Sequence, residues 1–186
     1  MQITREKAAS FHCPRWNELP GIPLYMDQVI LVLDESLALF AEEDGHVVTA
    51  TMINNYVKQK VIIPPGGKRY GREQMATLIM LCLLKRVFSI NETMGLIGLF
   101  TENAALGDAY DVFCAEFEAA LTNTFSRDDG EEEGGFGAAE ATQGGRTAIA
   151  ALAGKLHAQG VIADWQEKQK AAKELLAKEK KTEGKK

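Results

Sequence analysis

The chain has 186 residues, a formal charge of −5 at neutral pH and 46 % hydrophobic content, which suits one packed domain with appendages or two small ones. Its longest apolar run, Ala76 to Leu84, is about half a membrane span, and MQITREKAAS lacks the apolar core of an export signal, so neither crossing of a bilayer nor export is expected. Three cysteines (Cys13, Cys82, Cys114), far apart and odd in number, read as reduced thiols of a cytoplasmic protein.

Along the chain, residues 1–23 read as an arm: loose to residue 10, then irregular through Pro14, Pro20 and Pro23, tied down by Phe11, Trp16 and Leu19. From Leu24 to about Phe40 the apolar set Met26, Val29, Ile30, Leu33, Leu37, Phe40 has helical spacing, with Asp34 and Glu35 on the other face and an end at Gly45. Thr49 or Thr51 offers an N-cap for a short helix to about Gln59. Its inward stripe is Met52, Ile53, Tyr56 and Val57; Asn54, Asn55, Lys58 and Gln59 face outward. Pro64-Pro65-Gly66-Gly67 then reads as a turn between two short strands, 61–63 and 68–70.

Arg72 to about Val87 is a strongly apolar helix, expected at the centre. Ser89–Glu92 is a capping box opening a helix to about Leu99. Asn103 to about Phe125 is another helix, with Leu106, Tyr110, Phe113, Phe117 and Leu121 on one side. These elements, 24–126, form the expected main domain. Residues 127–145 read as an acidic, glycine-rich linker, and 146–186 as a helical extension with a lysine-rich tail. The extension is read as two helices, Thr147–Ala158 and Ile162 to about Lys180, parted near Gly160.

The charge is segregated. Residues 1–45 sum to −5, 46–90 to +6, 91–145 to −11 and 146–186 to +5. A basic block inside an acidic chain suggests one face for an anionic partner. A helix of this size fits the major groove of duplex DNA, and asparagine amides can bond adenine edges. Lys58, Lys68, Arg69 and Arg72 would lie near phosphates and supply most of the affinity, with Lys60 and Thr51 beside them. Tyr70 would pack its ring on the hairpin and point its hydroxyl to a phosphate, although a core role for Tyr56 and Tyr70 is the plainer reading. Asn54 and Asn55 also read as ordinary solvated helix residues. His12-Cys13 has no second metal-ligating pair nearby, so packing is expected there. No nucleophile elbow and no phosphate loop is evident, so the expectation is a non-enzyme with no catalytic residue, metal or cofactor.

Helix, turn, helix, short hairpin, apolar helix, capped helix is the layout of a winged helix-turn-helix. Here MINNYVKQKVI, GGKRYGREQM and VFSINETMGLI resemble, in that order, the reading helix, wing end and following capped helix of the mercury-resistance-regulator (MerR) superfamily. Tyr56 falls on the motif tyrosine, Lys68 and Arg69 on the basic wing positions and Tyr70 on the last wing tyrosine; Asn54 stands where that superfamily usually has arginine. FHCPRW, LYMDQV and MINNYVKQK also resemble segments of an uncharacterised bacterial family. The MerR resemblance implies a mainly α fold, a winged helix-turn-helix with extra N-terminal and C-terminal helices. It also implies a DNA-binding transcriptional regulator on double-stranded DNA, a homodimer through C-terminal helices around Trp165, with no effector identified. Packing of those helices back onto their own chain is the alternative for that end. The alternative function is a protein-interaction adaptor that keeps the fold and works through its acidic 91–145 region.

Overall fold

The computed structural model describes residues 3–41, 45–126 and 139–183. Its centre follows from composition. The helix Arg72–Leu84 has scarcely a polar side chain beyond its first turn, so it has no face to offer to water. Met75, Ala76 and Leu78 through Leu83 are all buried. This is the central helix expected from sequence, and it stops three residues earlier than read, at Leu84.

Taking the helices in chain order, α1 is Arg5–Ala9, α2 Met26–Ser36, α3 Ala50–Lys58, α4 Arg72–Leu84, α5 Ile90–Thr101, α6 Leu106–Ser126 and α7 Ala139–Glu183. Single turns of 3-10 helix occur at Trp16–Glu18 and Ala38–Phe40. The fold is mainly helical, and the described residues contain no strand, only the isolated bridges Leu24–Tyr70 and Gly66–Arg69. α5 and α6 pack on α4 and on each other, α1 packs on α6, and α2 on α3. One apolar cluster runs from Cys13 through Val29, Leu33, Ile53 and α4 to Tyr110 and Cys114. Phe11, Phe40 and Phe117 close its side, with ring centroids 5.1–5.9 Å apart.

Several expectations hold at residue level. Of the stripe read for α2, Val29 and Leu33 are buried and Met26 and Ile30 pack half-buried beside them, and Leu37 and Phe40 follow inward after the helix has tightened. The Ser89 capping box forms: Ser89 Oγ accepts from the Glu92 N–H at 3.3 Å, and Glu92 Oε2 accepts from the Ser89 N–H at 2.7 Å. Tyr110 and Phe113 are buried on α6, with Leu106, Phe117 and Leu121 packed beside them.

Others are corrected. The first ten residues are not all loose: Thr4 caps α1, and Ala8 is buried beneath it. Asp34 does not simply face water. Its Oδ1 accepts from the Val47 N–H at 2.8 Å and its Oδ2 pairs with His46 Nδ1 at 2.6 Å, so it fixes the return into α3. Residues 61–63 form no strand, because the end of α3 and the two prolines take that backbone. The extension is not two helices, since α7 runs unbroken through Gly160. One interior glycine costs about 1 kcal/mol, and α7 is anchored on both sides of it. Gln159 donates to Glu92, and Gln169 Nε2 donates to Glu102 Oε1 at 2.8 Å. Between them, Ile162 and Trp165 enter the space left by Gly95 and Gly98 of α5, where a Cβ would lie 2.6 Å and 2.5 Å from their side chains. The C-terminal helix therefore packs on its own chain. Of the expected linker, 139–145 lies in α7 and 127–138 lies outside the described residues.

The segment after α1 is fastened to α6 by polar contacts along one helical face, Asp111, Cys114 and Glu118. Asp111 Oδ1 accepts from the Trp16 N–H at 2.6 Å. Glu118 takes the Arg15 guanidinium with both oxygens and the Cys13 N–H at 2.7 Å. Partial burial pushes the Glu118 carboxyl up, but the hydrogen bonds from Arg15 and Cys13, with the charge of Arg15, outweigh it and hold the group below its usual 4.5.

Two predictions follow from these seams. Because Glu118 titrates lower folded than unfolded, its contribution is present above about pH 4.5 and is lost as pH falls through the folded value. Glu118→Gln should cost about 2 kcal/mol in urea unfolding at pH 7, and the gap to wild type should narrow below pH 4.5. Gly98→Ala should drive Trp165 from its seat, losing roughly 1–3 kcal/mol and moving tryptophan emission to the red.

Candidate nucleic-acid interface

The face read from sequence is built by α3 and the return that follows it. Thr49, not Thr51, is the cap: its Oγ1 accepts from the Met52 N–H at 3.3 Å. Ile53 and Tyr56 are buried, and Met52 and Val57 pack against the core as half-buried neighbours. That leaves Thr51, Asn54, Asn55, Lys58 and Gln59 exposed along the outer side, as the spacing predicts.

The end of α3 is a Schellman motif. The Val61 N–H donates to the Tyr56 carbonyl at 2.9 Å and the Lys60 N–H to the Val57 carbonyl at 3.1 Å. The motif needs a left-handed residue, and Lys60 supplies it at φ 58°. Val61 and Ile62 then return to the core. The next reversal spans Gly66–Arg69, closed by the Arg69 N–H donating to the Gly66 carbonyl at 3.1 Å. Its two central residues, Gly67 and Lys68, have φ 58° and 63°, the signs a type I′ turn requires. The expected hairpin is thus a single tight turn. The chain leaves it by pairing Tyr70 with Leu24, each N–H donating to the other's carbonyl at 2.8–2.9 Å.

Arg69 is exposed and held over the Tyr25 ring, 4.9 Å from its centroid, and its Nη2 donates to the Tyr25 hydroxyl at 2.8 Å. Tyr25 is the residue of this face that sequence reasoning missed. Its place depends on the Leu24–Tyr70 pairing, and nothing local signals that contact. Tyr70 itself is only 3 % exposed, and burial pushes its hydroxyl pKa up, as it does that of Tyr56. It supports the turn from beneath. Arg72 points away from the turn: its Nη2 donates to the Leu19 carbonyl at 3.2 Å, and its guanidinium lies 5.7 Å from the Trp16 ring centroid.

The basic block therefore divides. Arg72, Lys85 and Arg86 bond the carbonyls of Leu19, Val47 and Phe40. Lys58, Lys60, Lys68 and Arg69 are exposed, and among the described residues none of the four has a carboxylate partner. Cations so placed attract anions, and the amides of Asn54 and Asn55 beside Lys58 offer both donors and acceptors.

A family model described as a domain of unknown function (DUF1836) matches residues 14–113, more than half of the chain, and the protein belongs to that family. The match takes in LYMDQV and MINNYVKQK, begins inside FHCPRW and stops within α6, so α3, the tight turn and Tyr25 all lie in the shared region. No curated protein and no solved structure matches the chain.

Lysine in the left-handed region is costlier than glycine by roughly 1 kcal/mol. Lys60→Gly and Lys68→Gly should each raise the unfolding free energy by about that much, measured in urea, with the larger gain at whichever site keeps its turn unchanged.

Proposed function

We propose that the protein is a DNA-binding transcriptional regulator that reads duplex DNA with α3 and the 66–69 turn, in the manner of a MerR-like winged helix-turn-helix. The observation that carries this reading is the set of four exposed bases on a single stretch, 58–69, none with a carboxylate partner among the described residues, in a chain of net charge −5. Two of them occupy left-handed positions where glycine is easier. Asn54 and Asn55 are the base-reading groups, and Lys58, Lys60, Lys68 and Arg69 the phosphate-binding ones. Thr51 lies at the start of the same exposed side. Tyr70 and Arg72 act as supports. The working form is a homodimer on a two-fold site. Since Trp165 is seated on α5, the apolar side chains of α7 that suit a second copy are Ile149, Leu152 and Leu156, exposed at heptad-like spacing; Val161 and Leu175 are exposed further along.

Binding to a labelled duplex should weaken as salt rises, with a log–log slope of about −0.9 per phosphate neutralised. Lys68→Ala with Arg69→Ala should flatten the slope by roughly 2 per protomer, whereas Asn54→Ala should lower the preference for a selected site over random duplex by about 1–3 kcal/mol. Selection from a random pool supplies that site. Absence of duplex binding at low salt sinks the proposal and leaves the adaptor reading.

A further inference from the structure

Cys13 and Cys114 lie one residue outside opposite ends of the matched region, 14–113, yet they meet on one face of α6. Both are fully buried. Cys13 is held there by its N–H, which donates to Glu118 one turn beyond Cys114. The Cys114 thiol points at the Pro14 carbonyl, 3.9 Å away, and the Tyr110 hydroxyl donates to the same oxygen at 2.6 Å. The Cys114 sulfur thus lies against the backbone next to Cys13, and the Cys13 N–H is fixed to the same face of α6. Arg15, which donates to the Cys13 carbonyl at 2.7 Å, adds a positive charge beside them. Cys82 is different: it is buried in α4 among apolar side chains.

The chemistry of the pair is asymmetric. The hydrogen bond from Cys13 lowers the pKa of Cys114 against the opposing effect of burial, and Tyr110 and Arg15 add to the lowering. Cys13, the donor, is pushed up by the same bond and by burial. Burial chiefly, with the Asp34 charge adding and the Lys85 charge opposing, raises Cys82 to about 11. A thiol with a stabilised anion beside a second thiol is the arrangement in which one sulfur attacks and the other resolves.

We propose that Cys13 and Cys114 are a redox dithiol that closes to an intrachain disulfide when the protein meets hydrogen peroxide. The Cys114 sulfur attacks one peroxide oxygen: an S–O bond forms, the O–O bond breaks, and the departing hydroxide takes up the thiol proton as water. The Cys13 sulfur then displaces hydroxide from the sulfenic acid: the S–S bond forms, the S–O bond breaks, and a second water leaves with the Cys13 proton. Two thiols are oxidised by two electrons, and one peroxide is reduced to two waters. Burial sets the pace, because peroxide enters only when the 11–16 segment lifts from α6. The product ties that segment to α6 covalently.

The test uses the full chain in native buffer with hydrogen peroxide, followed by denaturation, maleimide labelling and non-reducing tryptic mapping. The expected result is loss of two of the three labels and a mass lower by two hydrogen atoms. Peptide 8–15 should be linked to peptide 87–127, with Cys82 still labelled. The melting temperature should rise by several degrees and fall again with a reductant. Low urea should speed the reaction, and Cys13→Ser should leave Cys114 trapped as a sulfenic acid that dimedone captures. Retention of all three labels, a linked peptide containing Cys82, or linkage only between chains overturns the proposal. DNA binding is not needed for any of these readouts.

Discussion

A helix without a polar face must be covered on every side, and most of this architecture answers that demand from α4. Its flanking helices present apolar stripes inward, which is why α2, α3 and α6 each show clear helical periodicity while α4 shows none. Its ends need separate treatment. Lys85 and Arg86 follow its C-terminus, where positive charge suits the helix dipole, and they reach the carbonyls of Val47 and Phe40. Arg72 opens its N-terminus, where positive charge is unfavourable, and it is drawn off to the Leu19 carbonyl and the Trp16 ring. The bases at the two ends of α4 thus serve the fold. The segment charge of 46–90 overstates what an external anion would meet.

What remains exposed is concentrated where the backbone is least comfortable. A Schellman motif and a type I′ turn both call for glycine or asparagine at the left-handed position, and here both carry lysine. Neither lysine side chain bonds another described residue in return. Conformational cost retained without a packing reward is more readily understood as fixing where a charge stands. The acid-free stretch from Lys58 to Arg69 has the same sense.

Much of this was legible because it is local. The stripe of α3, the Ser89 capping box and the unbroken apolar run of α4 are encoded within a few residues of where they act. The failures are those in which a distant partner decides. Lys68–Tyr70 reads as a returning strand until Tyr70 is seen to pair with Leu24. Gly160 reads as a stop until Gln159 and Gln169 are seen fastened to α5. α1 is too short to show a period, and burial of Ala8 against α6 is what sustains it. Arg72 reads as a phosphate contact because its charge is visible in sequence and the Leu19 carbonyl opposite it is not. For the same reason Cys13 and Cys114 read as unrelated thiols.

Residues 11–25 connect these observations. They begin on α6 at the Glu118 and Asp111 contacts, pass beneath Arg72 with Trp16, and end with Leu24 on Tyr70 and Tyr25 on Arg69. A segment with no regular structure beyond one 3-10 turn holds position only through such contacts. Its three prolines limit how far it can relax between them. The placement of Arg69 therefore depends on side chains of α6 that lie far from it in sequence. An irregular strap fastened at both ends carries a displacement from one end to the other more faithfully than a flexible loop does. The Cys13–Cys114 corner lies at one end of that strap and the cationic turn at the other.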